Sequence, residues 1–83
     1  MGNVIVLYRI LPDSPDHFEQ VKKSLQELKP DKMEEEPIAF GIKALKFTKV
    51  VPDAPRAEED LENQVRALPH VETVETIVVT RSL

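Results

Sequence analysis

The chain has 83 residues, of which 41% are hydrophobic and 31% charged, and its formal net charge is −4. This length gives one small domain with a single thin core, and we expect that domain to span residues 1–83. The absence of cysteine excludes disulfides, thiolate metal sites and thiol nucleophiles. The negative charge argues against a nucleic-acid ligand, because proteins that bind phosphate backbones usually carry a basic patch. No apolar run approaches the roughly 20 residues needed to cross a bilayer, and no signal peptide is present, so we expect a cytoplasmic protein without a membrane partner.

The first predicted element is a strand. Residues 4–10 read Val-Ile-Val-Leu-Tyr-Arg-Ile, a run that is typical of a strand buried on both faces and therefore central in its sheet. A helix follows, with Ser14 as its N-cap and Pro15 at its first position, and it ends at Lys29-Pro30. Its apolar stripe consists of Phe18, Val21, Leu25 and Leu28.

Two further strands are predicted in the middle of the chain. Residues 31–38 include Glu34-Glu35-Glu36, and a strand of this charge is expected only at a sheet edge. Residues 42–51 form a more apolar strand. Its two faces carry Leu45 and Phe47 on one side and Ile42, Ala44 and Val50 on the other.

A second helix and a last strand complete the pattern. Residues 52–55 form a proline-containing turn, and the acidic residues 58–60 then lie near the positive N-terminal end of the helix. Pro69 ends this helix, and residues 71–81 form the final strand. The buried stripe of the helix consists of Leu61, Val65 and Leu68.

The element order βαββαβ predicts an α+β, ferredoxin-like sandwich, in which a four-stranded antiparallel sheet carries both helices on one face. The first and third strands should form the central pair. The first, third and fourth strands carry apolar residues on both faces, whereas helices cover only one. We therefore expect exposed apolar surface on the second face, which indicates either a partner contact or a homodimer.

Catalytic and metal-binding motifs are not recognisable. The serines have structural explanations or lie at the terminus, and His17 and His70 are predicted to be solvated, because neither has a nucleophile beside it in a known motif. Glu34 and Glu36 could share a strand face and hold a weak divalent ion, but charge at a sheet edge explains them better. The chain has only two glycines, too few for a phosphate-binding loop. We predict no catalytic residue, no metal site and no cofactor.

Two other classes of protein share this topology. RNA-recognition motifs stack bases on aromatic residues of the two central strands, and Tyr8 and Phe47 could take those positions. The basic-Gly-aromatic signature is absent, however, and the net charge has the wrong sign. A small-molecule-sensing domain that dimerises through its sheet is the second alternative. Its ligand sites usually need glycine-rich turns after the first strand, where this chain has residues 12–15, Pro-Asp-Ser-Pro.

A resemblance to a known family lies in residues 37–46, Pro-Ile-Ala-Phe-Gly-Ile-Lys-Ala-Leu-Lys. They resemble the Pro-x-x-Phe/Tyr-Gly-Ile-Lys-x-Leu core of the guanine-nucleotide exchange domain of elongation factor 1-beta, and the chain length resembles the short archaeal form. The resemblance implies a translation factor, not an enzyme, that binds elongation factor 1-alpha in its GDP-bound and nucleotide-free forms. It would accelerate release of GDP so that GTP can bind.

The resemblance also implies roles for individual residues. Phe40 matches the aromatic residue that the family inserts into a pocket of the GTPase, and Gly41 would let it point outward. Pro37 and Lys43 match the same motif, and Lys43 could meet an acidic partner surface. Eukaryotic relatives place a lysine one residue from the C-terminus, near the magnesium site of the GTPase. This chain has Ser82 there, so Arg81 is the nearest cation.

Overall fold

A computed structural model of the chain describes residues 2–39 and 41–82. Within these residues a single four-stranded sheet packs against two helices. The elements are β1 (Asn3–Pro12), a 3₁₀ turn (Pro15–His17), α1 (Phe18–Gln26), β2 (Lys32–Ala39), β3 (Ile42–Pro52), α2 (Ala57–Arg66) and β4 (Val71–Ser82).

The sheet has the strand order β2-β3-β1-β4, and all three neighbouring pairs are antiparallel. This arrangement confirms the predicted ferredoxin-like α+β fold. It also confirms that the first and third strands are central and that the acidic strand β2 lies at an edge. The fourth strand forms the opposite edge.

The core lies between the helices and one face of the sheet. Every second residue of β1, from Val4 to Ile10, is buried there, and β3 contributes Leu45, Phe47 and Val51. The helices contribute Phe18, Val21, Leu25, Leu61 and Val65, and β4 contributes Val74. The predicted apolar stripes of both helices therefore face the sheet, because their 3.6-residue spacing matches one side of a helix.

The boundaries of the first helix differ in detail from the prediction. Ser14 is the N-cap, since its Oγ accepts a 3.2 Å hydrogen bond from the backbone N–H of Asp16. The turn that follows is 3₁₀, and the α-helix begins only at Phe18. It ends at Gln26, and Leu28 packs on the core from the turn beyond the helix. Lys29 then adopts a left-handed conformation with φ 57°, which is a common way to terminate a helix.

The second face of the sheet, called the open face below, has no helix over it. The prediction that β1 is buried on both faces is therefore wrong for this side, where Ile5, Leu7 and Leu11 are only partly buried. The predicted exposed apolar residues are present, with Val50 and Val78 each 39% exposed. Charged residues run between them, however, so this face is not one continuous apolar patch. Homodimer formation through it stays a prediction.

Candidate partner-binding surface

The hairpin between β2 and β3 contains most of the predicted site. The last pair of its ladder is Ala39 opposite Ile42, and Pro37 lies opposite Lys43. Gly41 occupies the turn with φ 71°, and a Cβ built on it would have no heavy atom within 4 Å. The turn therefore needs glycine for its left-handed backbone and not for space. A connection of two residues that ends in glycine is typical of tight hairpins.

Phe40, the predicted anchor, lies outside the described residues, and its role stays a prediction. The residues around it can be described. Ile38 is 49% exposed and Ile42 is 44% exposed, and Ala39 at the end of β2 is exposed as well. An open hollow is lined by Pro37, Ile38, Ala39 and Gly41. Large apolar side chains held in solvent at a hairpin end are more typical of a contact surface than of a solvated turn.

Lys43 has contacts within the domain. Its Nζ lies 3.5 Å from Glu35 Oε1 and 5.5 Å from the centre of the Phe18 ring. Glu35 also accepts a 2.7 Å hydrogen bond from Lys22 of α1, and this bond is the main reason that the pKa of Glu35 is lowered. Lys43 thus covers the edge of the core next to the hairpin. Its side chain remains 55% exposed, which leaves it accessible to a partner.

Arg81 lies at the opposite end of the sheet. It pairs with Val4, which pairs in turn with Val51 at the far end of β3. Val51 lies ten positions beyond Gly41 along β3, which corresponds to roughly 30 Å at about 3.3 Å per residue. The longest dimension of the domain is 42 Å. The structure therefore brings Pro37, Gly41 and Lys43 together and places Arg81 at a second, distant position.

The surroundings of Arg81 are polar and open. Its Nε lies 3.3 Å from Asp53 Oδ2, and its side chain is 76% exposed. A cleft of about 480 Å³ beside it lies between the start of α2 and the end of β4, and Glu58, Glu59 and Arg56 also line this cleft. The guanidinium is thus paired in the isolated domain, but weakly, because exposed ion pairs contribute little stability.

The residues that an RNA-recognition motif would need are not available. Tyr8 and Phe47 are both fully buried on the helix-facing side of the sheet, with their rings stacked 6.5 Å apart. The Tyr8 hydroxyl donates a 2.9 Å hydrogen bond to Glu58 Oε1. Burial and this bond raise the pKa of Tyr8 far above its ordinary value. Neither ring can stack on a base, so the RNA-binding alternative loses the residues on which it rested.

The two glutamates considered for a divalent ion have cationic partners within the domain. Glu34 pairs with Lys32 at 2.7 Å, and this bond is the main reason that the pKa of Glu34 is lowered. Glu36 lies 2.8 Å from Arg9 Nε and 3.7 Å from Lys46 Nζ. Their carboxylates are therefore used in ion pairs across and along the strands, as expected for an edge strand with alternating charge.

One cluster was not predicted. His17 and His70 stack with ring centres 3.7 Å apart, and both contact Asp13. Each histidine side chain is 37% exposed, in keeping with the predicted surface position, but their contact with each other and with Asp13 was not foreseen. The spacing of Asp13 and His17 was the only available signal, because four residues bring side chains to the same side of a helical turn. His70 is 57 residues away from Asp13, and only the fold reveals its position.

Within residues 2–39 and 41–82, neither helix is long and apolar enough to cross a bilayer.

The fold and the hairpin define this chain as a ferredoxin-like α+β domain with an exposed apolar turn at one end of its sheet. The family model described as the EF-1 guanine nucleotide exchange domain matches residues 5–81. The chain therefore belongs to the EF-1 guanine nucleotide exchange domain family, which confirms the resemblance found in residues 37–46. The match includes the hairpin and leaves out only the two ends of the chain.

Several archaeal proteins are similar to the chain over nearly their whole length. Elongation factor 1-beta of Methanoregula boonei is 43% identical over 83 residues, which cover 96% of this chain and 98% of that protein. The protein of the same name from Methanothermobacter thermautotrophicus is 38% identical, with 98% of each chain covered. That of Methanobrevibacter smithii is also 38% identical, with 100% of this chain and 99% of the relative covered.

Proposed function

We propose that this chain is the guanine-nucleotide exchange factor of elongation factor 1-alpha. It binds the GTPase with GDP bound, promotes GDP release, and remains on the nucleotide-free form until GTP binds. The observation that carries the proposal is the family match over residues 5–81, which includes the exposed hairpin. The names of the archaeal relatives, each an elongation factor 1-beta, support the same assignment.

The proposed activity requires binding energy and no bond chemistry, so the chain acts as a binding protein and not as an enzyme. An exchange factor binds the nucleotide-free GTPase more tightly than the GDP-bound form. By thermodynamic reciprocity, binding of the exchange factor weakens the affinity of the GTPase for GDP by the same ratio. A 1,000-fold weakening of GDP corresponds to a difference of about 4 kcal/mol in the binding free energy of the factor.

The hairpin supplies the anchor in this proposal. Phe40 enters a pocket of the GTPase, while the exposed Ile38 and Ile42 exclude water around it. An aromatic residue at the centre of an apolar contact is a common hot spot, and its truncation typically costs about 2–4 kcal/mol. Gly41 shapes the turn through its positive φ, and Pro37 stiffens the edge strand just before it. Lys43 lies beside the hairpin and contacts acidic groups of the partner.

The far end of the domain supplies the second contact. The tight binding of nucleotide by a GTPase depends on magnesium and on the loop that holds the phosphates. With the hairpin as anchor, Arg81 acts roughly 30 Å away at these elements, where its charge competes with magnesium. It must first leave Asp53, and the 76% exposure of its side chain makes that step easy. A guanidinium is a planar fork, so it replaces the lysine of eukaryotic relatives with different geometry.

A nucleotide-release assay tests the proposal. Elongation factor 1-alpha from the same organism is loaded with a fluorescent GDP analogue, and release is followed after excess unlabelled GDP and the full chain are added. We expect the release rate to rise with factor concentration and to reach a plateau. The same release rate with and without a saturating amount of the chain would contradict the proposal.

A further inference from the structure

Asp13, His17 and His70 form a compact group, called the Asp-His-His cluster below, at the end of the sheet that carries the hairpin. Asp13 Oδ1 lies 2.7 Å from His17 Nδ1, and Asp13 Oδ2 lies 3.2 Å from His70 Nδ1. One potential ligand atom from each of the three residues lies within 4.8 Å of the other two. No ion pair with a lysine or arginine competes for the Asp13 carboxylate among the described residues.

The backbone holds these three residues from separate parts of the fold. Asp13 follows β1, His17 ends the 3₁₀ turn, and His70 precedes β4. The backbone N–H of Asp13 donates a 2.8 Å hydrogen bond to the carbonyl of His70, and that of His17 donates one of 3.0 Å to Ser14. Main-chain contacts thus hold the backbones of the three residues close together, so that their side chains can meet without any change of fold.

The donor atoms of the cluster match one class of metal ion. Two imidazole nitrogens and one carboxylate oxygen suit zinc and similar divalent transition metals, whereas magnesium and calcium prefer oxygen ligands. Ligand atoms about 2.0–2.2 Å from a tetrahedral zinc ion lie roughly 3.3 Å from one another. Asp13 meets each histidine with a different carboxylate oxygen, Oδ1 at 2.7 Å from His17 and Oδ2 at 3.2 Å from His70. Both separations are near the ligand–ligand distance in a zinc site, so small rotations of the side chains bring one oxygen and both nitrogens around an ion.

We propose that the Asp-His-His cluster is a binding site for a divalent transition-metal ion such as Zn²⁺, with a fourth position open to solvent. The ion replaces the hydrogen bonds between Asp13 and the histidines and joins the β1–α1 turn to the α2–β4 turn. The two imidazole rings, now stacked 3.7 Å apart with planes 21° from parallel, separate from their stack so that their in-plane lone pairs converge on the ion. Their partial exposure, 37% for each side chain, leaves room for this movement.

The bound ion would affect the same end of the domain as the hairpin. Asp13 and Ser14 share an open hollow with Ile42 and Lys43, the residues that follow the turn. Metal binding therefore stabilises the turns beside the hairpin, because a ligand that binds only the folded state adds its binding free energy to the stability of that state. This site is independent of the proposed exchange activity, and its test requires no GTPase.

Isothermal titration calorimetry of the full, chelator-treated chain with ZnCl₂ tests the site, with thermal unfolding and histidine NMR signals as further readouts. We expect saturable binding of one ion per chain, an increase in Tm, and shifts of the imidazole signals of both histidines. MgCl₂ at the same concentrations should give none of these effects. A failure of zinc to bind saturably, or equal binding of magnesium, would overturn the assignment.

Variants locate the ion. His17→Gln and His70→Asn should each reduce zinc affinity at least tenfold, and asparagine is chosen at position 70 because it tolerates the φ of 65° found there. Asp13→Asn should weaken binding similarly, and the neighbouring Asp16→Asn is its matched control, with affinity within twofold of the wild type. Unchanged affinity in all three cluster variants would overturn the proposed site even if zinc binds the chain.

Discussion

Arg9 and Glu36 join the central strand β1 to the edge strand β2 across the open face, with Arg9 Nε 2.8 Å from Glu36 Oε1. The pair passes over β3, where Ala44 lies opposite Glu36 in the ladder. Ala44 is fully buried although no helix covers this face, and we attribute its burial to the ion pair formed across β3. Glu75 of β4, 3.6 Å from Arg9, extends the network, so charged groups from all four strands occupy the middle of the open face.

The Arg9–Glu36 pair should contribute measurably to stability. We expect Glu36→Gln to lower the free energy of unfolding by about 1 kcal/mol, because the pair is charge-assisted and only about a third exposed. Glu34→Gln is the matched control, since Glu34 pairs with Lys32 of its own strand and is more exposed, and it should change stability less than Glu36→Gln does. Urea unfolding measures the stability of both variants. Equal losses would contradict the claim that the Arg9–Glu36 pair stabilises the domain more than the Lys32–Glu34 pair does.

Gly41 should be needed for its backbone conformation alone. Gly41→Ala is expected to destabilise the domain by about 1 kcal/mol, because φ is 71° and alanine disfavours the left-handed region. Gly41→Asn should lose less, since asparagine tolerates that region and a side chain meets no atom within 4 Å. Chemical denaturation ranks the variants. An alanine variant as stable as the wild type, or an asparagine variant less stable than the alanine one, would contradict this explanation.

Tyr8 should remain un-ionised in the folded protein at alkaline pH. Burial and the hydrogen bond to Glu58 raise its pKa, whereas a tyrosine in the unfolded chain ionises near pH 10. Because the folded-state pKa is the higher one, this contribution to stability is complete below about pH 10 and is lost as the pH rises above it. The chain has only one tyrosine, so its ultraviolet phenolate absorption reports on Tyr8 alone.

We therefore expect the phenolate absorption of Tyr8 to rise over the same pH range in which circular dichroism shows that the protein unfolds. Glu58→Gln removes the neighbouring charge while it keeps a hydrogen-bond acceptor, and should shift the ionisation to lower pH. Ionisation of Tyr8 near pH 10 in a protein that is still folded would show that the ring is not held as the structure has it.

Arg81 should affect nucleotide release without affecting the anchor. In the release assay, Arg81→Ala should lower the maximal rate severalfold and leave the concentration for half-maximal effect nearly unchanged, because the hairpin still binds. Asp53→Asn removes the internal partner of Arg81, 3.3 Å away, and should not lower the rate. Unchanged release with Arg81→Ala would show that this cation has no such role.

The fold was predictable because its signals are local and repeated. Alternating or continuous apolar runs defined β1 and β3, and helical spacing defined α1 and α2. The edge position of β2 followed from Glu34 to Glu36. The 3₁₀ turn before Phe18 was missed, since the cap of Ser14 indicates where a helix starts and not how its first turn is hydrogen-bonded.

The arrangement of polar side chains was less predictable. The Asp-His-His cluster depends on two connections that meet only in the folded domain, and the Arg9–Glu36 pair depends on which residues face the same side across three strands. The sequence predicted an apolar open face because β1 is a continuous apolar run, which does not show which of its residues point to the helices and which to the open face. Pro37, Gly41 and Lys43 were found together because they are neighbours in one hairpin, whereas the distance of Arg81 from them needed the strand register.

A dose–response measurement of GDP release tests most directly whether the hairpin residue Phe40 holds the GTPase during exchange. Phe40→Ala is compared with Ile77→Ala, which removes an exposed apolar side chain from β4, away from the hairpin. We expect Phe40→Ala to raise the half-maximal concentration about 30-fold or more, the equivalent of at least about 2 kcal/mol, with an unchanged circular dichroism spectrum. Ile77→Ala should behave as the wild type does. Equal half-maximal concentrations for Phe40→Ala and the wild type would contradict the account.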